Sequence, residues 1–188
     1  MATALERLAL QASSCVACDL AATRRHVVFS SGPASARVVV VGEAPGANED
    51  LTGIPFVGRS GALLDALLVE SGLDREATYV TSVVKCRPPA NRTPKVSEIA
   101  ACRGFLESQL AEISPLVVIT LGNTATRCVL STSRPISALR GSVHVQPHTG
   151  RAVVPTFHPA AGLRGGPGVV EKIRADLALA AELVAGRS

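Results

Sequence analysis

Residues 38–41 are four consecutive valines that run straight into Gly42, Glu43 and a Pro45–Gly46 turn. A segment apolar at every position and bounded by turn residues suits a strand covered on both faces, the usual first strand of a parallel sheet. Ligands of open α/β sheets bind in the crevice outside the carboxyl ends of the strands, which places Glu43 within a substrate's reach. An ordinary strand–turn–helix connection with an exposed glutamate fits this segment equally well.

The pattern recurs. Residues 78–86, TYVTSVVKC, are β-branched almost throughout; residues 115–122, PLVVITLG, close on a glycine like the first run; AVVPTF at 152–157 is a short fourth strand. Between them the spacing predicts a helix over 60–71 with Leu63, Leu64, Leu67 and Leu68 inward and Gly72 as its cap. A second helix extends to residue 113, with Thr93 as N-cap and Pro94 at the first helical position. A short helix follows Gly122, and a final one runs over 169–185 with Val170, Ile173, Leu177, Ala181 and Val184 inward. Residues 131–151 read as loop with room for a short extended segment, and His144 and His148 as structural or solvated. Strands alternating with helices, without internal repeat, give an α/β fold: a three-layer α/β/α sandwich around a four-stranded, mainly parallel sheet, in a single domain over 1–188.

No apolar run approaches the ~20 residues that cross a bilayer. The N-terminal segment carries Glu6 and Arg7 within an apolar pattern, so it reads as an amphipathic helix and not as a signal peptide. The expected location is cytoplasmic, with no membrane partner. The formal charge of +4 hides sixteen arginines against three lysines. Arginine forks grip phosphate bidentately, which fits a nucleic-acid partner, although genomic base composition produces the same bias. Aromatics at 3% exclude a broad base-stacking platform, so any stacking rests on one or two rings.

Cys15 and Cys18 form a C-x-x-C after the first helix, while Cys86 ends a strand and Cys102 shares a helix face with Ile99, Leu106 and Leu110. Cys128, in an Ala/Val-rich helix, reads as a small core residue. Four thiols without histidine suit a tetrahedral zinc or an iron–sulfur cluster, and unligated core cysteines are a third reading. Two further positions bear on chemistry. Phe56 is a lone ring in the glycine-punctuated loop GIPFVGRSG, suited either to plugging the core or to stacking a base. His158 ends the fourth strand, where imidazole is able to donate to a developing anion, though a lone histidine is commonly structural. The loop RPPANRTP, stiffened by three prolines, presents Arg87 and Arg92.

Taken in order, GEAPG at 42–46, the E-D at 49–50, PFVG at 55–58, KCRPP-x-NR at 85–92 and HPAAGLR at 158–164 resemble the family 4 uracil-DNA glycosylases. The resemblance covers residues 15–164 and implies a [4Fe–4S] cluster on Cys15, Cys18, Cys86 and Cys102. It also implies excision of uracil, or of a related deaminated base, from DNA, single- or double-stranded; separately, the chain is expected to be a monomer. By the same resemblance Glu43 positions the attacking water and His158 donates to uracil O2. Phe56 stacks the flipped base, Gly42 and Ala44 lie against it, and Glu49 shapes the pocket against thymine's methyl group. Arg87, Asn91, Arg92, Leu163 and Arg164 are the implied DNA contacts. The sequence departs from the family pattern twice. Ser82 stands where an asparagine reads uracil's amide edge, and Gly162 stands where a leucine wedges into the base stack. These departures motivate an alternative: an iron–sulfur DNA-binding or damage-sensing protein with weak or altered excision.

Overall fold

A computed structural model describes residues 2–186. Five strands form one sheet: β1 (Val38–Gly42), β2 (Thr78–Ser82), β3 (Val117–Leu121), β4 (His144–Val145) and β5 (Ala152–Thr156). Their order is β2-β1-β3-β5-β4, with all neighbours parallel except β4 against β5. The fifth strand is a difference from the four expected. It has two residues, pairs His144 with Val153 and Val145 with Ala152, and is too short to leave a hydrophobic alternation in the sequence. The opposite edge of the sheet is covered by an antiparallel bridge of Ser31 to Val80 and by the Thr81 hydroxyl bonded to Phe29 O.

Burial explains the valine run. Val39 and Val41 face one core with Tyr79, Leu106, Leu110, Ala125 and Val129, whereas Val38 and Val40 face another with Leu64, Leu67, Leu68, Ile173 and Leu177. Residues alternate between the two faces of a strand, so a strand covered on both must be apolar at each position. The first face carries α1 (Ala4–Ser13), α4 (Val96–Ile113) and α5 (Gly122–Leu130). The second carries α3 (Arg59–Glu70) and α7 (Pro167–Ala185), with α6 (Pro159–Gly165) packed on both. The short helix α2 (Ala47–Thr52) follows β1. None of the helices among the described residues is long and apolar enough to cross a membrane.

Two of the boundaries that differ from the sequence reading have a visible cause. The second strand ends at Ser82 instead of continuing to Cys86, because its partner β1 ends at Gly42, the residue paired with Ser82. Val83 N and Val84 N then bond to Gly42 O and Glu43 O beyond the ladder. Helix α4 begins at Val96 with Lys95 as N-cap, and not at Pro94. Glu98 decides this: its carboxylate accepts the Lys95 N–H at 2.7 Å and both outer nitrogens of Arg92 at 2.9 and 2.6 Å.

Candidate active site

β1 lies between β2 and β3, so the chain winds outward in both directions from it and a crevice opens at the carboxyl ends of β1 and β3. Glu43 follows β1 directly; Asn123 and Thr124 lie in the first turn after β3. Across the crevice the Thr124 hydroxyl donates to Glu43 Oε2. Thr124 has no counterpart in the sequence reading. The signal available was positional: the strand at 115–122 closes on glycine as the first does, and its next residues reach the same crevice.

Phe56 is fixed by two glycines. Its backbone is left-handed, with φ +58, and a Cβ on Gly61 would lie 1.7 Å from its carbonyl oxygen. A Cβ on Gly42 would lie 2.7 Å from the tip of its ring and 3.2 Å from Ser82 Oγ. Glycine at 42 thus lets the ring and the Ser82 hydroxyl close over the end of β1. Glu49 secures the flanking loops, accepting the N–H groups of Gly46 and Gly58 at 3.0 Å each.

The imidazole of His158 stacks on Phe56 with centroids 5.9 Å apart and planes 27° from parallel. Nδ1 of His158 accepts the Ala160 N–H at 3.1 Å as it caps α6. Burial, reinforced by the Arg164 charge and opposed by Glu49, lowers the imidazole pKa to about 4. A neutral ring whose Nδ1 is an acceptor carries its proton on Nε2, so His158 is a neutral N–H donor near pH 7.

Glu43, Ala44, Glu49, Phe56, Ser82, Asn91, Arg92, His158 and Arg164 all line a single cleft of about 930 Å³. Gly42 lies beneath it, and Arg87 and Leu163 outside its lining. Arg87 Nε is bonded to Asn91 Oδ1 at 2.7 Å. Arg92 is committed to Glu98, which is 2% exposed and whose carboxyl the guanidinium pulls to about 2. Arg59 and Arg127, unremarked in the sequence, also line the cleft.

Behind Ser82, Cys15, Cys18, Cys86 and Cys102 line one small pocket with Ala12, Ala17, Ala21, Ala101, Arg24, Lys85 and Phe105. Among the described residues no three His, Cys, Asp or Glu side chains form a metal-binding group. Arg24 Nη1 donates to Cys86 Sγ at 3.4 Å and Lys85 N to Cys102 Sγ at 3.3 Å. Burial raises the pKa of both thiols, with Arg24 opposing at Cys86 and Lys85 at Cys102. Lys85 is itself buried, and its ammonium meets Thr81 Oγ1, Ser82 O and Gln109 Oε1 at 2.6–2.7 Å. Cys128 packs against the core beside α4.

A model of the Uracil DNA glycosylase superfamily matches residues 29–178, a span that contains Glu43, Phe56, Ser82 and His158. The chain belongs to the uracil-DNA glycosylase superfamily. It is 45% identical over 161 residues to the Type-4 uracil-DNA glycosylase of Thermotoga maritima, covering 85% of this chain and 83% of that protein. The Type-4 uracil-DNA glycosylase of Sulfurisphaera tokodaii is 40% identical over 166 residues, 85% and 76% of the two chains. Likeness to the Type-5 uracil-DNA glycosylase of Pyrobaculum aerophilum is lower and shorter, 33% over 144 residues, 69% and 63% of the two chains.

For this uracil-DNA glycosylase superfamily member the structure revises the meaning of Gly162. That residue is buried, and a Cβ there would sit 3.2–3.4 Å from Val170, Leu63 and Ile173. Position 162 faces the α3–α6–α7 junction, whereas Leu163 is the outward residue. A leucine at 162 would therefore point into the protein and not into DNA.

Proposed function

We propose that the chain hydrolyses the N-glycosidic bond of uracil in DNA, as a monofunctional, monomeric glycosylase of the cytoplasm. The observation that carries this reading is the convergence of Glu43, Phe56 and His158 on one cleft at the switch point of the sheet.

The uridine leaves the base stack and enters the cleft, where its ring lies on Phe56. Ala44 lies against the base, and Glu49 narrows the pocket by holding the Gly46 and Gly58 loops together. As the N1–C1′ bond lengthens, its electron pair moves onto the base and the sugar becomes oxocarbenium-like. The neutral His158 meets that negative charge with Nε2–H at uracil O2, without surrendering its proton. Glu43, anchored through one oxygen by Thr124, orients water toward C1′ with the other. Water oxygen bonds to C1′, and its proton leaves toward the carboxylate and solvent. Arg59, Arg127 and Arg164 supply cleft-lining positive charge for phosphates, with Arg87 and Asn91 on the adjoining loop. Arg92 contributes through its pairing with Glu98, which fixes that loop.

Cys15, Cys18, Cys86 and Cys102 would hold a [4Fe–4S] cluster. The donor set fits: four thiols around one apolar pocket, two of them accepting N–H bonds of the kind that stabilise cluster sulfurs. Bound there, such a cluster would tie Cys15 and Cys18 of the N-terminal segment to Cys86 and to Cys102 within α4.

The test is base release from a uracil-containing single strand, read by alkaline cleavage of the abasic product. Release abolished by Glu43→Ala supports the proposal; an intact strand at high enzyme excess overturns it. Ser82 favours a second reading, a DNA-binding or damage-sensing protein with weak excision, since a hydroxyl cannot make the two-point contact of an amide. Salt-sensitive DNA binding without base release would select it.

A further inference from the structure

Ten large apolar side chains are exposed among the described residues, and three of them fall within one seven-residue stretch: Leu51, Ile54 at 51% and Val57 at 43%. Ile54 and Val57 bracket Pro55 and Phe56, which line the cleft together with Gly58, while the two aliphatic groups themselves are exposed outside that lining. Their exposure is built in. Gly53 and Phe56 hold left-handed backbone at φ +74 and +58, and Glu49 fastens the N–H of Gly58.

The stacking of Phe56 on His158 brings this loop beside α6, whose Leu163 is 42% exposed. Two of these apolar groups have a basic residue close by in sequence: Arg59 lies two residues beyond Val57, Arg164 follows Leu163, and both arginines line the cleft. An aliphatic tip beside a guanidinium matches the edge of a nucleic-acid duplex, where stacked bases take the first and a phosphate the second. With aromatics at only 3% of the chain, aliphatic wedges are the means available for parting a stack.

We infer that Ile54 and Val57 form a second blade, which enters double-stranded DNA next to the extrahelical nucleotide and opens the stack jointly with Leu163. This rests on the uracil-excision reading and adds a strand-dependent role to it. A single strand offers little stack to open, so the blade serves duplex substrates selectively.

The experiment uses the whole protein and two oligonucleotides, one single-stranded and one duplex, each carrying uracil. A third, a duplex, carries a non-cleavable 2′-fluorodeoxyuridine beside 2-aminopurine. In Ile54→Ser/Val57→Ser, kcat/KM on the duplex should fall about tenfold and the 2-aminopurine fluorescence rise should shrink, with single-strand release changed less than about twofold. Ile54→Leu/Val57→Leu, which keeps the blade apolar, should retain both duplex signals. Equal losses on both strands, or no loss on either, would overturn the inference. So would a polar variant that keeps duplex activity but loses self-association in sedimentation, which would make the patch a contact between copies. Failure of the parent reading is separate: the unaltered protein would then release uracil from neither strand.

Discussion

Thr124 and Glu43, 81 residues apart in sequence, are joined by a hydrogen bond across the crevice between β1 and β3. The threonine hydroxyl holds one carboxylate oxygen and so sets where the other points. Thr124→Val should lower kcat by about ten- to a hundredfold, the range for losing a hydrogen bond to a charged group, with KM little changed. Thr124→Ser, which keeps the hydroxyl, should recover most of the loss. An unchanged kcat in the valine variant would remove Thr124 from the reaction.

His158 should titrate at about 4 when its ring protons are followed by NMR in the free protein. Arg164→Gln removes a repelling charge and should move that titration upward, though not to the ordinary histidine value, because burial is the larger cause. The native state resists protonation that the unfolded chain accepts. This group's stabilising effect is therefore complete above about 6.5 and fades as pH falls toward about 4. Base release should show no inflection from this imidazole between roughly pH 6 and 8. A titration near the ordinary value would contradict the neutral-donor role.

Ser82→Asn restores the amide that the family pattern carries at this position. Because Ser82 lines the cleft beside Phe56, the longer side chain can reach a base stacked there. Uracil release should rise, by about tenfold if one further hydrogen bond is realised in the transition state. A panel of uracil, hypoxanthine, xanthine and mismatched thymine would locate the change in specificity. No rise for uracil would show that position 82 does not limit the reaction.

Gly162→Leu should not repair a missing wedge. The new side chain meets Val170, Leu63 and Ile173 inside the α3–α6–α7 junction, an overpacking that costs about 1–3 kcal/mol and lowers the urea midpoint. Leu163→Ser, by contrast, should leave the midpoint nearly unchanged and weaken duplex cleavage. A stable, more active Gly162→Leu protein would overturn this placement.

The purified protein should be brown, absorb near ~400 nm and contain close to four irons per chain. Cys86→Ser should lose colour and iron together with thermal stability. A colourless protein with one zinc per chain would reject the cluster and leave the cleft chemistry untouched.

The fold was legible where physics acts locally. The valine run signalled a strand covered twice, and the leucines at 63, 64, 67 and 68 marked the inner face of α3. Local pattern failed where distant residues decide. Helix α4 starts at Val96 because Glu98 gathers Lys95 and Arg92, although Thr93–Pro94 offers the stronger start signal. The strand β4 exists only through its pairing with β5. In the cleft, the chemically distinctive side chains Glu43, Phe56 and His158 stood out, whereas Thr124 did not. A hydroxyl in a helix gains meaning only from what it faces.

The Phe56 ring occupies the space a side chain on residue 42 would need. Randomised libraries should accordingly return glycine alone at 42, while position 82, opening onto the same cleft, tolerates variety. Directed evolution of this scaffold toward other damaged bases thus has an immovable floor and an adjustable wall.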